Sequence, residues 1–392
     1  MKARQIKKNV YWMGAIDWDR RLFDALIPLP DGTSYNAYLV QGSQKVALID
    51  TVDPTMTDVL MAYLEDVPSI NYVIANHAEQ DHSGSLPHVL AKYPNAKVVT
   101  TPKCKDLLMA LLLISEDRFI TVSDGETVSL GDKTLEFIHA PWVHWPETML
   151  TYLQEDKILF PCDLFGSHLA TTDLYVPDEG QVHESAKRYF AEIMMPFHNI
   201  IEKHLEKLDS YKIDIIAPSH GPMYNKPSFI VESYRSWVSD PLRNTVILPY
   251  ISMHGSTEKI VEHFVGALVD KGITVKQFNL AASDIGKLAM ALVDAATLVI
   301  GTPTVLVGPH PNIAHAAFLA NALRPRLQFI SIIGSYGWGS KAVEQVTGMV
   351  PNIKAEVLEP VIIKGFPREE DFKALDKLAG TIAKKHKEHG FV

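Results

Sequence analysis

Asn76-His77-Ala78-Glu79-Gln80-Asp81-His82-Ser83-Gly84 follows directly on an apolar run, Tyr72-Val73-Ile74-Ala75. Four side chains able to bind a metal, His77, Glu79, Asp81 and His82, stand within one short loop. A buried strand that opens into imidazoles and carboxylates can gather several donors around one point. Two histidines with two carboxylates suit a hard-to-borderline metal such as iron or manganese. Cysteine ligands would have indicated structural zinc. The plainer reading, a polar loop leading into a helix capped by Ser83, suits any one of these residues better than all four together.

Further donors lie downstream, each after a short apolar run and in a turn that holds proline or glycine. They are His144 in Pro141-Trp142-Val143-His144-Trp145-Pro146-Glu147, Asp163 in Phe160-Pro161-Cys162-Asp163-Leu164, and His220 in Pro218-Ser219-His220-Gly221. Alone, His144 would serve as well as a buried, hydrogen-bonded histidine, and Asp163 as a turn residue. Together with the first loop they are too many ligands for one ion. Two ions about 3.5–4 Å apart need a bridging carboxylate to offset their repulsion. Asp163 is the expected bridge, with His77, Glu79 and His144 on one ion. Asp81 and His220 fall to the other, with His82 a further candidate.

Around these motifs the first part of the chain reads as short strands with interspersed helices. A hairpin is expected at 38–40 and 45–50, a helix at 56–64, a strand at 72–75 and a helix at 85–93. Strands follow at 97–100, 127–138 (two, around Gly131-Asp132), 148–153, 157–160 and 213–217, with one long helix at 184–208. Sheet pairs with helices packed outside them imply a two-sheet α/β sandwich. After Asp240-Pro241 the pattern becomes strict strand–helix alternation, with strands at 245–251, 274–279, 297–300, 328–333 and 356–363. Helices are expected at 257–270, 284–294, 312–323, from 340, and at 368–386. Such alternation implies a doubly wound, five-stranded parallel sheet. The expected domains are therefore 1–241 and 242–392.

The 392 residues carry a net charge of −9, which argues against nucleic acid as a partner. No apolar stretch reaches the roughly 18 residues of a membrane span, and no secretory leader is evident at the start. Cys104 and Cys162 are far apart and form no Cys-x-x-Cys, so a reducing cytoplasm is the expected setting.

The spacing His77-x-Glu79-x-Asp81-His82 resembles the metallo-β-lactamase superfamily with one substitution. Zinc hydrolases of that superfamily carry a second histidine where Glu79 stands. In this form the motif is similar to the flavodiiron proteins (A-type flavoproteins), and the resemblance covers essentially the whole chain. It implies an αββα metallo-β-lactamase-like sandwich that holds two non-haem irons, followed by a flavodoxin-like domain that binds FMN. It also implies an oxidoreductase that reduces dioxygen to water, nitric oxide to nitrous oxide, or both. The alternative is a zinc-dependent hydrolase fused to a flavodoxin-like module.

For the flavin the first loop offers Ser252, Met253, His254, Gly255, Ser256 and Thr257, small hydroxylated residues and glycine at a helix start that suit a phosphate. The second offers Thr302, Pro303 and Thr304, and the third Ser335, Tyr336, Gly337, Trp338 and Gly339. All three lie at the carboxyl edge of the expected sheet. Gly-x-Gly-x-x-Gly is missing after the first strand, which disfavours a nicotinamide. Tyr189, His168 and Trp145 are candidates for contacts just outside the metal ligands. The resemblance further implies a head-to-tail homodimer or a dimer of dimers. It also implies an external electron donor, rubredoxin or a reduced deazaflavin, because no rubredoxin module follows residue 392.

Overall fold

The structure is a computed structural model that describes residues 2–239 and 241–392. Two compact units are present: Met1–Phe190 with Phe197–Val238, and Ser239–Val392 with Ala191–Pro196. The boundary expected at Asp240-Pro241 falls on Asp240, which lies outside the described residues.

In the first unit one sheet runs in the order Arg4–Lys7, Val10–Trp12, Tyr38–Gln41, Val46–Ile49, Tyr72–Ile74, Lys97–Thr100, Phe119–Thr121. The expected hairpin is there, with Tyr38 opposite Ile49. The later strands pair in parallel. The second sheet runs Thr127–Ser129, Thr134–His139, Met149–Leu153, Ile158–Phe160, Ile215–Ile216. Successive side chains of a strand point to opposite faces, and the sequence uses both. Val40, Ala47, Ile49, Ile74 and Val99 meet Phe137, Met149, Leu153 and Phe160 of the second sheet in one core. Leu39, Leu48, Val73 and Val98 pack into another with Leu60, Leu86 and Leu108 of the helices Thr57–Tyr63, Leu86–Lys92 and Pro102–Leu112. Beside the second sheet lies the helix His198–Leu208, where Lys207 pairs with Asp124.

The expected helix at 184–208 is broken. It begins earlier, as Glu179–Tyr189, and passes through a π-turn at Phe190–Met194 and a 3₁₀ turn at Met195–Phe197 before resuming at His198. Pro196 sits at this break; its ring blocks a helical hydrogen bond.

The second unit has the strand order Thr274–Asn279, Arg243–Tyr250, Ala295–Val305, Phe329–Tyr336, then Glu356–Val357 and Val361–Lys364, with all of these pairs parallel. In sequence rank this is 2-1-3-4-5, the flavodoxin-like order. The fifth strand, expected as continuous over 356–363, is split around Pro360, which cannot donate to a ladder. Among the described residues no helix is long and apolar enough to cross a membrane.

A buried histidine tunes this unit's stability. His386 is fully enclosed, with Nδ1 2.7 Å from Asn244 Oδ1 and Nε2 2.7 Å from the Thr297 hydroxyl. Burial, helped by the charge of His389, pushes its pKa down to about 4. The neutral ring is the folded form, so its contribution is complete above the unfolded value of about 6.5 and drains away as pH falls toward 4. Unfolding free energy of this unit should drop by about 2 kcal/mol between pH 7 and pH 5. Urea titrations should show that drop, and His386→Gln should remove most of it.

Candidate metal and flavin sites

The loop after Tyr72–Ile74 is fixed before it reaches any donor. The backbone N–H and side-chain amide of Asn76 donate to the two oxygens of Asp50, at 2.9 Å each. Its Oδ1 accepts from Thr151 of the second sheet at 2.7 Å, and its carbonyl from Met149 N. His77 and Glu79 follow, and a helical turn, Gln80–Ser83, presents Asp81 and His82. The loop bearing His220 is clamped by Asn36, whose amide donates to Pro218 O and Gly221 O at 2.8 Å each. Gly221 has φ +78°, and a Cβ there would collide with Ser167 Oγ. Left-handed backbone also flanks the other donors, at Trp142 (φ +67°) before His144 and at Cys162 (φ +52°) before Asp163. Such conformations cost of order 1–3 kcal/mol each and tend to persist at functional sites.

All seven expected donors come together. His77, Glu79, His144 and Asp163 form one group, and Asp81, His82 and His220 another. In the first, Glu79 Oε2 lies 3.1 Å from both His77 Nε2 and His144 Nε2, and Asp163 Oδ2 lies 3.6 and 3.4 Å from them. In the second, Asp81 Oδ2 lies 3.3 Å from His82 Nε2 and 3.1 Å from His220 Nε2. Asp163 Oδ1 lies 2.9 and 3.4 Å from the same two nitrogens. Donors bound at about 2.0–2.2 Å to one ion at near-tetrahedral or octahedral angles sit roughly 3.0–3.6 Å apart, which is the observed spacing. Both oxygens of Asp81, both ring nitrogens of His82 and Oδ2 of Asp163 are buried with no hydrogen-bond partner among the described residues. The carboxylate oxygens and the one lone pair of the neutral His82 ring are costly to bury unless a cation takes them. The donors therefore fit a pair of metal ions, with Asp163 facing both groups.

The electrostatics agree. Burial opposes charge on each imidazole, yet hydrogen bonds to Glu147 and Glu79 hold His77 well above its usual range. Asp163 with Glu79 holds His144 up at about 9, and Asp163 with Asp81 holds His220 at about 10. His82 is raised by the charges of Asp163 and Asp81. Positive charge is favoured at every ring, and metal ions would supply it with release of protons. Cys162 also lies within reach of His82 and Asp163, but burial pushes its thiol well above the usual range, which leaves it neutral.

Of the outer candidates, Tyr189 donates its hydroxyl to Asp163 Oδ1 at 2.7 Å. The His168 ring lies 4.9 Å from that of His220, and its Nδ1 meets Thr33 Oγ1 at 2.9 Å. Trp145 sets its ring 4.9 Å from that of His77, nearly perpendicular. Sequence reasoning missed Glu147, whose Oε1 lies 2.8 Å from His77 Nδ1 and accepts from Ala78 N at 3.1 Å. An acid three residues after a candidate metal histidine was the available signal. It also missed Asp24, on the strained hairpin turn after Phe23 (φ +49°). Burial, then the charges of Glu79 and Asp81, raise the Asp24 carboxyl to about 6. A cavity of about 390 Å³ lined by Phe23, Asp24, Glu79, Asp81, Leu111 and Trp145 opens beside the donors.

In the second unit the three expected loops meet around a pocket of about 200 Å³. It is lined by Met253, His254, Ser256, Thr257, Pro303, Thr304, Ser335, Tyr336 and Gly337. Gly255 (φ +84°) caps the helix Ser256–Val269, and the hydroxyls of Thr257 and Ser335 lie 3.1 Å apart. A helix N-terminus ringed by hydroxyls fits a phosphate, and the adjoining loop backbones fit a flat heterocycle. Ser252, Gly255, Thr302, Trp338 and Gly339 are outside this lining; Trp338 is 78% exposed.

A family model described as ODP family beta lactamase matches residues 33–221. The nitric oxide reductase of Moorella thermoacetica is 34% identical, over 96% of this chain and 97% of its own length. The rubredoxin oxygen:oxidoreductase of Desulfovibrio gigas superposes with a TM-score of 0.94 at 28% identity, each chain covered completely. The flavodiiron protein of Giardia intestinalis superposes with a TM-score of 0.92 at 27% identity, over 99% of this chain and 98% of that one.

Proposed function

The chain belongs to the flavodiiron family, and on that premise we propose how its parts divide the reduction of a small gas. It is an oxidoreductase that reduces dioxygen, nitric oxide or both, to water and nitrous oxide respectively. The observation that carries this reading is the paired donor set sharing Asp163, with a carboxylate, Glu79, at the position where a zinc hydrolase has an imidazole. We assign two irons: one to His77, Glu79 and His144, the other to Asp81, His82 and His220, with Asp163 between them. We assign the flavin as FMN, its phosphate at Ser252, Gly255, Ser256 and Thr257 and its ring along 302–304 and 335–339. The working domains are 1–241 and 242–392.

When bound, the flavin stores and passes electrons and the iron pair offers open positions to the gas. The chain's own residues do the rest. Glu147 fixes the ring of His77, and Tyr189 fixes the orientation of Asp163. Phe23, Leu111 and Trp145 make part of the cavity wall apolar, which suits an uncharged diatomic molecule. We further propose a dimer or dimer of dimers, a cytoplasmic setting, and an external donor such as rubredoxin or a reduced deazaflavin. The assembly and the donor rest on the family resemblance, the cytoplasmic setting on the two separated cysteines.

The test is metal and flavin analysis followed by anaerobic reduction and stopped-flow mixing with each gas. About two irons and one FMN per chain, with rapid reoxidation by at least one gas, are expected. Two zinc ions, or inertness toward both gases, would overturn the reading.

A further inference from the structure

We propose that the two metal positions differ in affinity, the His77–Glu79–His144 position binding its ion more tightly than the Asp81–His82–His220 position. This rests on the binuclear reading above. The ligands themselves do not separate the positions. Each has two imidazoles, one carboxylate of its own and one oxygen of Asp163.

The groups behind three of the four imidazoles, His77, His220 and His82, differ in a way that favours the first position. Behind His77 stands an anion: Nδ1 lies 2.8 Å from Glu147 Oε1, and both side chains are fully buried. A carboxylate that accepts the outer N–H makes the imidazole a stronger donor. Behind His220 stands only a neutral acceptor, the Ser34 carbonyl, at 2.7 Å. His82 Nδ1 is buried with no hydrogen-bond partner among the described residues, so nothing there strengthens its Nε2.

The shared carboxylate is biased too. Oδ2 of Asp163 faces His77 and His144, while Oδ1 faces His82 and His220. Tyr189 donates to Oδ1 at 2.7 Å. A hydrogen bond donated to a ligand oxygen draws electron density from it, which weakens the second position more than the first. Changes in such outer partners typically alter metal affinity by about 10- to 100-fold. The first position should therefore fill first and empty last.

The experiment strips the full-length protein of metal with a chelator and adds one cobalt(II) ion per chain. Anomalous scattering at the cobalt edge then reads the occupancy of each position. The expected ratio is at least about ten to one in favour of the His77 position. Glu147→Gln keeps the shape and removes the charge, so the ratio should fall toward about one. Tyr189→Phe should also lower it, by strengthening the second position. A Glu147 that mattered only for folding would weaken both positions together and leave the ratio unchanged.

Equal or reversed occupancy in the unsubstituted protein, or a ratio that neither variant moves, would overturn the inference while leaving the binuclear centre in place. Failure to bind a second ion at any excess of cobalt would instead overturn the binuclear reading. Should Glu147→Gln not fold, the unsubstituted ratio and Tyr189→Phe still decide.

Discussion

Asp163→Asn is expected to reduce gas consumption at least about a thousandfold, a loss of roughly 4 kcal/mol of transition-state stabilisation, and to bring iron content to about one per chain or lower. Asparagine fills the same volume, but a neutral amide cannot offset the repulsion of two cations a few ångströms apart. Among the described residues Asp163 is also the one carboxylate that approaches all four imidazoles, at 2.9–3.6 Å. Iron analysis beside stopped-flow mixing with dioxygen and with nitric oxide reads the result, and circular dichroism checks the fold. Two retained irons with a rate within tenfold of the unsubstituted protein would show that Asp163 is not the bridge.

The second large effect concerns the choice of metal. Glu79→His removes an anionic oxygen that lies 3.1 Å from both His77 Nε2 and His144 Nε2 and puts an imidazole in its place. The position then offers mainly nitrogen donors, a set well suited to zinc. Protein produced with iron and zinc both available should shift from mainly iron to mainly zinc at that position. Gas reduction should fall at least about a hundredfold, because zinc has no second oxidation state to exchange. Unchanged iron content with undiminished turnover would show that Glu79 does not set the metal.

The clustering of the candidate donors was legible in the sequence because each lies in a segment that follows a short apolar strand, at one end of the two sheets. The parallel sheet was legible for a related reason: its strands and helices are long enough to show their periods. What surrounds the metal was much less so. Glu147, Asn36 and Asp50 act through partners 70, 182 or 26 residues away in the chain, and no local pattern marks such pairs. The strands Leu22–Phe23 and Ile27–Pro28 are two residues each, too short to display an alternation, so the hairpin bearing Asp24 went unseen. The broken helix near Pro196 and the split strand at Pro360 show the opposite case. There the apolar pattern ran on, and a single residue without an N–H interrupted it.

His77, Glu79, Asp81 and His82 hang from one layer of the sandwich, and His144, Asp163 and His220 from the other, with Asn76 knotting the layers just beneath. Ions held by these donors would thus be rivets at the end of a seam. Any breathing of the hydrophobic slab between Val40 and Phe137 would change the spacing of the donors on its two sides. Core substitutions far from any ligand could then alter reactivity with no change in what touches the gas.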